Sequence, residues 1–97
     1  MLKEILAANP NDTFARYGLA MEYAKAGDID GALAEYRRVI EINAEYTAAY
    51  QMAGQMLASA GRNEEARQML EGGMACARRA GNQHAESEMR GMMELLG

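Results

Sequence analysis

The feature that most constrains this chain is an internal repeat of 34 residues, which runs from Thr13 to Tyr46 and again from Thr47 to Ala80. Aligned without a gap, the two copies share Thr13/Thr47, Ala15/Ala49, Ala24/Ala58, Ala26/Ala60, Gly27/Gly61 and Ala32/Ala66, while Tyr23/Leu57 and Tyr36/Leu70 keep size and apolarity. A repeat this short is one supersecondary unit that cannot bury its apolar face alone, so neighbouring units must share a core. Composition decides what the unit is made of. Alanine, leucine, methionine and glutamate are abundant and the single proline is Pro10, which favours helix. Nowhere do β-branched and polar residues alternate over a strand's length, so no sheet is expected.

Start and stop signals divide the chain into six helices. Met1–Asn9 carries Leu2, Ile5 and Leu6 at helical spacing, and Pro10 stops it by forcing the preceding residue out of the helical region. A helix that short is marginal alone and has to dock. Asn11 and Asp12 can cap a second helix, Thr13–Ala26, in which Leu19, Ala20 and Tyr23 share one side and Phe14, Tyr17, Met21 and Lys25 another. Gly27 suits the left-handed position that closes a helix, and Asp28 caps the next, whose buried stripe is Ile29, Ala32, Leu33, Tyr36, Val39 and Ile40. The third helix ends near Asn43. Thr47–Ala60 is the fourth helix, with Gly61 closing it. The fifth runs from Asn63 to about Arg79, with Ala66, Met69, Leu70, Gly73 and Met74 inward. Gly81 breaks the chain, and Asn82–Leu96 forms the sixth, with Ala85, Met89, Met92 and Leu96 on one face and His84, Glu86, Glu88 and Arg90 mostly away from it. Turns this short set neighbouring helices antiparallel.

A helix–turn–helix unit of 34 residues with a turn glycine resembles the tetratricopeptide repeat. Leu19-Ala20, Tyr23, Gly27, Ala32, Tyr36 and Val39 stand at that family's large–small pair, aromatic, turn glycine, alanine, aromatic and small apolar position. In the second copy the matching residues are Ala53-Gly54, Leu57, Gly61, Ala66, Leu70 and Gly73. The resemblance covers nearly the whole chain. Residues 1–10 look like the back half of an earlier repeat, with Pro10 at its closing proline, residues 13–46 and 47–80 like complete repeats, and residues 82–96 like a capping helix. It implies a single all-α domain over residues 1–97, a right-handed α-solenoid of antiparallel helix pairs. Two complete repeats are fewer than the roughly three usually needed, and the half repeat and the cap make up the number.

Three places depart from the family pattern. Arg16 stands where an aromatic is common, Ala44 and Arg78 replace the closing proline so that the fifth helix can run on, and Gly72-Gly73 lies inside that helix. Each such glycine costs about 1 kcal/mol relative to alanine. Gly73 reads as a point of close packing; Gly72 has no explanation in the sequence.

The resemblance implies a concave groove lined by the first helix of each repeat. It is formed by Phe14, Tyr17, Met21, Ala24 and Lys25 in one copy and Ala48, Gln51, Gln55, Ala58 and Ser59 in the other. Aromatic and methionine walls with glutamine amides suit a peptide or protein segment, so the expected function is a non-catalytic interaction module. Of these positions Phe14, Tyr17, Met21, Lys25, Gln51, Gln55 and Ser59 are the expected contacts. Phe14 and Tyr17 have a second reading, as packing beneath the N-terminal helix. The Lys, Asn and Arg clamp with which some members grip a C-terminal carboxylate is missing: Tyr17, Met21, Ala48, Gln51 and Gln55 hold those places. An alternative of a different class is self-assembly through the end helices, as a homodimer with Leu2, Ile5 and the Met92/Leu95 region at the contact.

Other chemistries find little support. Net charge is −4, which argues against nucleic acid, and the cluster Arg67, Arg78 and Arg79 is read as charge near a helix C-terminus. No run of about 18 apolar residues is present, so no membrane span is expected. One cysteine, Cys76, makes no internal disulfide, and a cytoplasmic setting follows. Cys76 and His84 lack a third orienting group, the methionines sit at core spacing rather than converging on a soft metal, and Asp28/Asp30 and Glu64/Glu65 lack a calcium loop. No enzyme, cofactor or metal is expected.

Overall fold

The computed structural model describes residues 1–96. Six helices follow in order: α1 (Leu2–Ala8), α2 (Thr13–Lys25), α3 (Ile29–Ile42), α4 (Thr47–Ser59), α5 (Asn63–Arg79) and α6 (Gln83–Leu95). Among the described residues there is no strand. The chain divides into two compact units, residues 1–44 and 45–97, so each unit holds three helices.

The turns form as their residue types dictate. Gly27, Gly61 and Gly81 have φ of +84°, +78° and +70°, a region where a β-carbon would clash with the backbone. At the first of them the Asp28 amide donates to the Tyr23 carbonyl at 2.9 Å and the Gly27 amide to the Ala24 carbonyl at 3.1 Å, which satisfies carbonyls that the helix end would otherwise orphan. The starts of α2, α3 and α6 are capped by carboxylate or amide side chains. The side chains of Asp12, Asp28 and Asn82 accept from the amides of Ala15, Gly31 and Ala85. Each such cap contributes about 1 kcal/mol.

In the first unit Leu6 of α1 packs with Ala15 and Leu19 of α2, and Leu2 and Tyr23 close the cluster. Leu2 leans on Gly18, where a β-carbon would sit 3.3 Å from a Leu2 methyl. Ile5, expected on the inward face of α1, is instead 38% exposed. With Leu6 and Leu2 aimed at α2, Ile5 lies to the side of the stripe. The other half of this core is the α3 stripe: Ala32, Leu33, Tyr36 and Val39 are buried, Ile29 and Ile40 half-buried. Arg16 fills its departure from the family pattern with an ion pair. Its guanidinium reaches Glu35 of α3 at 2.6 Å and the Pro10 carbonyl at 2.9 Å, tying α2 to both neighbours.

In the second unit α5 lies between α4 and α6. Leu70, Ala77, Ala85 and Met89 form a buried cluster, covered by Met74, Met92, Met93 and Leu96. The paired glycines now have a cause. A β-carbon at Gly73 would lie 2.5 Å from Met89 Sδ and 2.7 Å from Tyr50 Cβ, and one at Gly72 would lie 2.9 Å from the Tyr50 ring. The two glycines together make the trough in which Tyr50 of α4 rests, and Gly73 also admits Met89 of α6. The charges of the α5–α6 turn do more than complement a helix end. Arg78 and Arg90 both donate to the same Glu86 oxygen, at 2.6 and 3.0 Å, and Arg79 reaches Glu45 at 3.3 Å. Glu86 is therefore half-buried and engaged, not turned away as the periodicity of α6 suggested. Its arginine hydrogen bonds, above all the one from Arg78, hold its carboxyl below the usual carboxylate range.

Candidate functional site

Among the residues expected to meet a partner, four lie on α2, and helix geometry explains their different fates. Residues 14, 21 and 25 fall close together on the helix circumference, with position 17 to one side. Ala15, Gly18 and Leu19 turn toward α1. Phe14 and Met21 are left between these packed sides, 77% and 42% exposed, and Lys25 is exposed in the last turn. Phe14 thus does not pack beneath the N-terminal helix. Tyr17 does not either: half-buried, its ring stands edge-on to that of Tyr36, with centroids 5.9 Å apart and planes at 61°. That geometry suits the opposed charge of ring face and edge. Burial, with Tyr17 alongside, pushes the Tyr36 hydroxyl up to about 12. Met21 and Lys25 come together with Leu2, Gly18 and Glu22 around a cleft of 320 Å³.

The other three expected residues lie on α4, a helix of thirteen residues that carries no charge. Gln51 is half-buried and donates to Glu88 of α6 at 3.3 Å. The His84 ring also approaches Glu88, at 3.4 Å. Gln55 and Ser59, exposed, line a second cleft of 380 Å³ with Ala58 of the same helix and Asn63 at the start of α5; Met92 and Leu95 of α6 and Leu96 form its opposite wall. Sequence reasoning assigned Met92 and Leu96 to the core and Leu95 to an end contact. Leu95, at 88% exposure, was detectable as a large apolar residue outside the Ala85/Met89/Met92/Leu96 stripe, although its meeting with α4 was not.

Cys76 and His84 are given separate surroundings. The cysteine is buried, its Sγ 3.0 Å from the Thr47 hydroxyl, whereas His84 stands in solvent beside Glu88. A thiol so enclosed is poorly placed to reach a substrate. Among the described residues no three His, Cys, Asp or Glu side chains converge as a metal group, and no helix is long and apolar enough to cross a membrane.

Comparison with known proteins agrees with the helical arrangement. A family model described as tetratricopeptide repeat matches residues 23–85. The chain is 34% identical over 88 residues to a TPR repeat-containing protein of Pseudomonas aeruginosa, an alignment covering 91% of this chain and 84% of the relative. Among solved structures, it is similar to a tetratricopeptide repeat domain protein from Salinibacter ruber, at TM-score 0.81 and 28% identity over 91% of this chain and 89% of that one. It is also similar to a protein from Bordetella parapertussis, at TM-score 0.83 and 28% identity over 98% of this chain and 83% of that one.

Proposed function

The chain belongs to the tetratricopeptide-repeat family, and from that premise we propose that it is a non-catalytic module binding a peptide or protein segment on the faces that α2 and α4 leave uncovered. Proteins of this all-α family generally serve protein–protein interaction. The observation that carries the finer reading is Phe14, an aromatic kept 77% exposed on the first helix of a repeat, with Met21 two turns further along the same side at 42%. An exposed phenylalanine gains nothing from folding that a polar residue would not, whereas on binding each such side chain can contribute about 1.5–3 kcal/mol. Tyr17 and Lys25 flank this strip, and Gln51, Gln55 and Ser59 supply amide and hydroxyl groups on α4.

The test is a selection of displayed peptides on the wild-type protein, followed by titration against Phe14→Ser/Met21→Ser. Both positions are open enough that the variant should keep its helicity and its thermal midpoint within a few degrees. Selected peptides should bind it at least about tenfold more weakly, the equivalent of 1.4 kcal/mol. Peptides that bind both proteins equally would sink the assignment.

A second reading, self-assembly through the end helices, is favoured by one observation: Ile5 of α1 and Leu95 of α6 are both apolar and both exposed. Light-scattering mass over about a hundredfold concentration range decides between them, because an isologous dimer has to dissociate by mass action. A constant monomer mass removes the second reading; a dimer that Leu2→Glu/Ile5→Glu converts to a folded monomer removes the first.

A further inference from the structure

The two clefts differ in a way that bears on what each can accept. The one in the first unit has Glu22 and Lys25 on its wall. Among the described residues no charged one lines the cleft of the second unit, in a chain of which a quarter is charged. Its α4 side comes from a helix with no Asp, Glu, Lys, Arg or His. Its opposite wall is thioether and aliphatic, from Met92, Leu95 and Leu96. Three neutral polar side chains, Gln55, Ser59 and Asn63, stand around it.

Those three side chains are unspent. Among the described residues none of them makes a side-chain hydrogen bond, while Gln51, one turn earlier on α4, is occupied by Glu88. Two carboxamides and a hydroxyl can both donate and accept, which matches the N–H and C=O of a peptide backbone and offers no countercharge to an ionised group. At 380 Å³ the space falls toward the small end of the roughly 300–1,000 Å³ typical of ligand clefts, room for one large side chain and its adjoining amides. Leu95, almost wholly in water, would gain most by being covered.

We propose that this cleft takes an uncharged segment of a partner protein, anchored by one leucine- or methionine-sized side chain on Met92, Leu95 and Leu96 and held through its backbone by Gln55, Ser59 and Asn63. The cleft discriminates against charge: a carboxylate or ammonium entering it gives up water and meets no opposite charge among the described lining residues. The proposal rests on the reading of the chain as an interaction module and names the chemistry of what it binds.

The experiment is an amide-resolved NMR titration of the whole chain with N-acetyl-leucine N-methylamide, compared with N-acetyl-leucinate and with N-acetyl-lysine N-methylamide. The neutral leucine amide should shift the Gln55, Ser59, Asn63 and Leu95 signals saturably. It should bind at least about fivefold more tightly than either charged probe, and the isosteric exchange Gln55→Glu should weaken it by a similar factor. Equal binding of the charged probes, an unchanged response in Gln55→Glu, or no shift at these residues at the solubility limit overturns the proposal. Signals of the cleft that move when the protein alone is diluted would place a second copy there and overturn it as well. A selected peptide that maps to α2 while the cleft stays silent would defeat the cleft and leave the interaction reading standing.

Discussion

Three glycines inside helices set up a prediction that isolates packing from helix propensity. Replacing a solvent-exposed helical glycine by alanine stabilises by about 1 kcal/mol, because the unfolded chain loses freedom and nothing else changes. Gly91 is that case, with no atom within 4 Å of where the β-carbon would go. At Gly73 the same gain meets an obstacle: the new carbon would stand 2.7 Å from Tyr50 Cβ and 2.5 Å from Met89 Sδ. The methionine sulfur can shift. Tyr50 Cβ cannot, being bonded directly to the α4 backbone, so α4 and α5 must separate. Overpacking of this kind costs about 1–3 kcal/mol, and after the propensity gain of about 1 kcal/mol Gly73→Ala should destabilise by up to about 2 kcal/mol. Gly72 is intermediate, because its clash is with the ring end of Tyr50 at 2.9 Å, and a ring can tilt; Gly72→Ala should stay within about 0.5 kcal/mol of wild type. Urea unfolding followed by circular dichroism reads all three, and for a chain of this length 1 kcal/mol is also about 4–8 °C in Tm. The order expected is Gly91→Ala above wild type, Gly72→Ala near it and Gly73→Ala below. If Gly73→Ala proves as stable as Gly91→Ala, Tyr50 does not rest in the glycine trough and the account of the second unit is wrong.

Further predictions concern charge and the first helix. Tyr36 is neutral when folded up to about 12 against an ordinary 10.0, so its contribution is complete below pH 10 and is lost as pH rises toward 12; at about 1.4 kcal/mol per unit this amounts to roughly 2–3 kcal/mol. Tyr36→Phe should lack that alkaline loss, and parallel urea midpoints for the two proteins between pH 9 and 12 would refute it. Glu86 has the opposite sign: its lowered carboxyl stabilises the fold above the ordinary carboxylate range, and the contribution disappears as pH falls through the lowered value. The thermal midpoints of wild type and Glu86→Gln should therefore differ at pH 7 and converge in acid, and a gap that persists at pH 2 would contradict the Arg78–Glu86–Arg90 link. Leu6→Ala removes the buried anchor of α1 and should cost about 2–3 kcal/mol. It should also collapse hydrogen-exchange protection over α1; unchanged protection there would show that α1 docks by other means.

What could be read from the sequence was local. The glycine closures, the Asp12 and Asp28 caps and the α3 stripe depend on residues within a few positions of one another, so their spacing carried them. The unreadable features each need a side chain from another helix. Gly72 made no sense until Tyr50 lay over it, and Glu86 seemed outward until Arg78 reached across the α5–α6 turn. Phe14 and Tyr17 share a helix side, and their spacing leaves open which neighbour covers either. The structure turns Tyr17 onto Tyr36 and leaves Phe14 exposed. The second cleft was half visible: Gln55 and Ser59 were expected at a binding surface, but Met92, Leu95 and Leu96 join them only through the docking of α6.

The most direct test of the proposed function is an amide map of a selected peptide on the intact protein. The account predicts that the largest shifts fall at Phe14, Tyr17, Met21 and Lys25, with Gln55 and Ser59 moving as well. Shifts confined to the outer face of α3, at Arg37, Arg38 and Glu41, would contradict it.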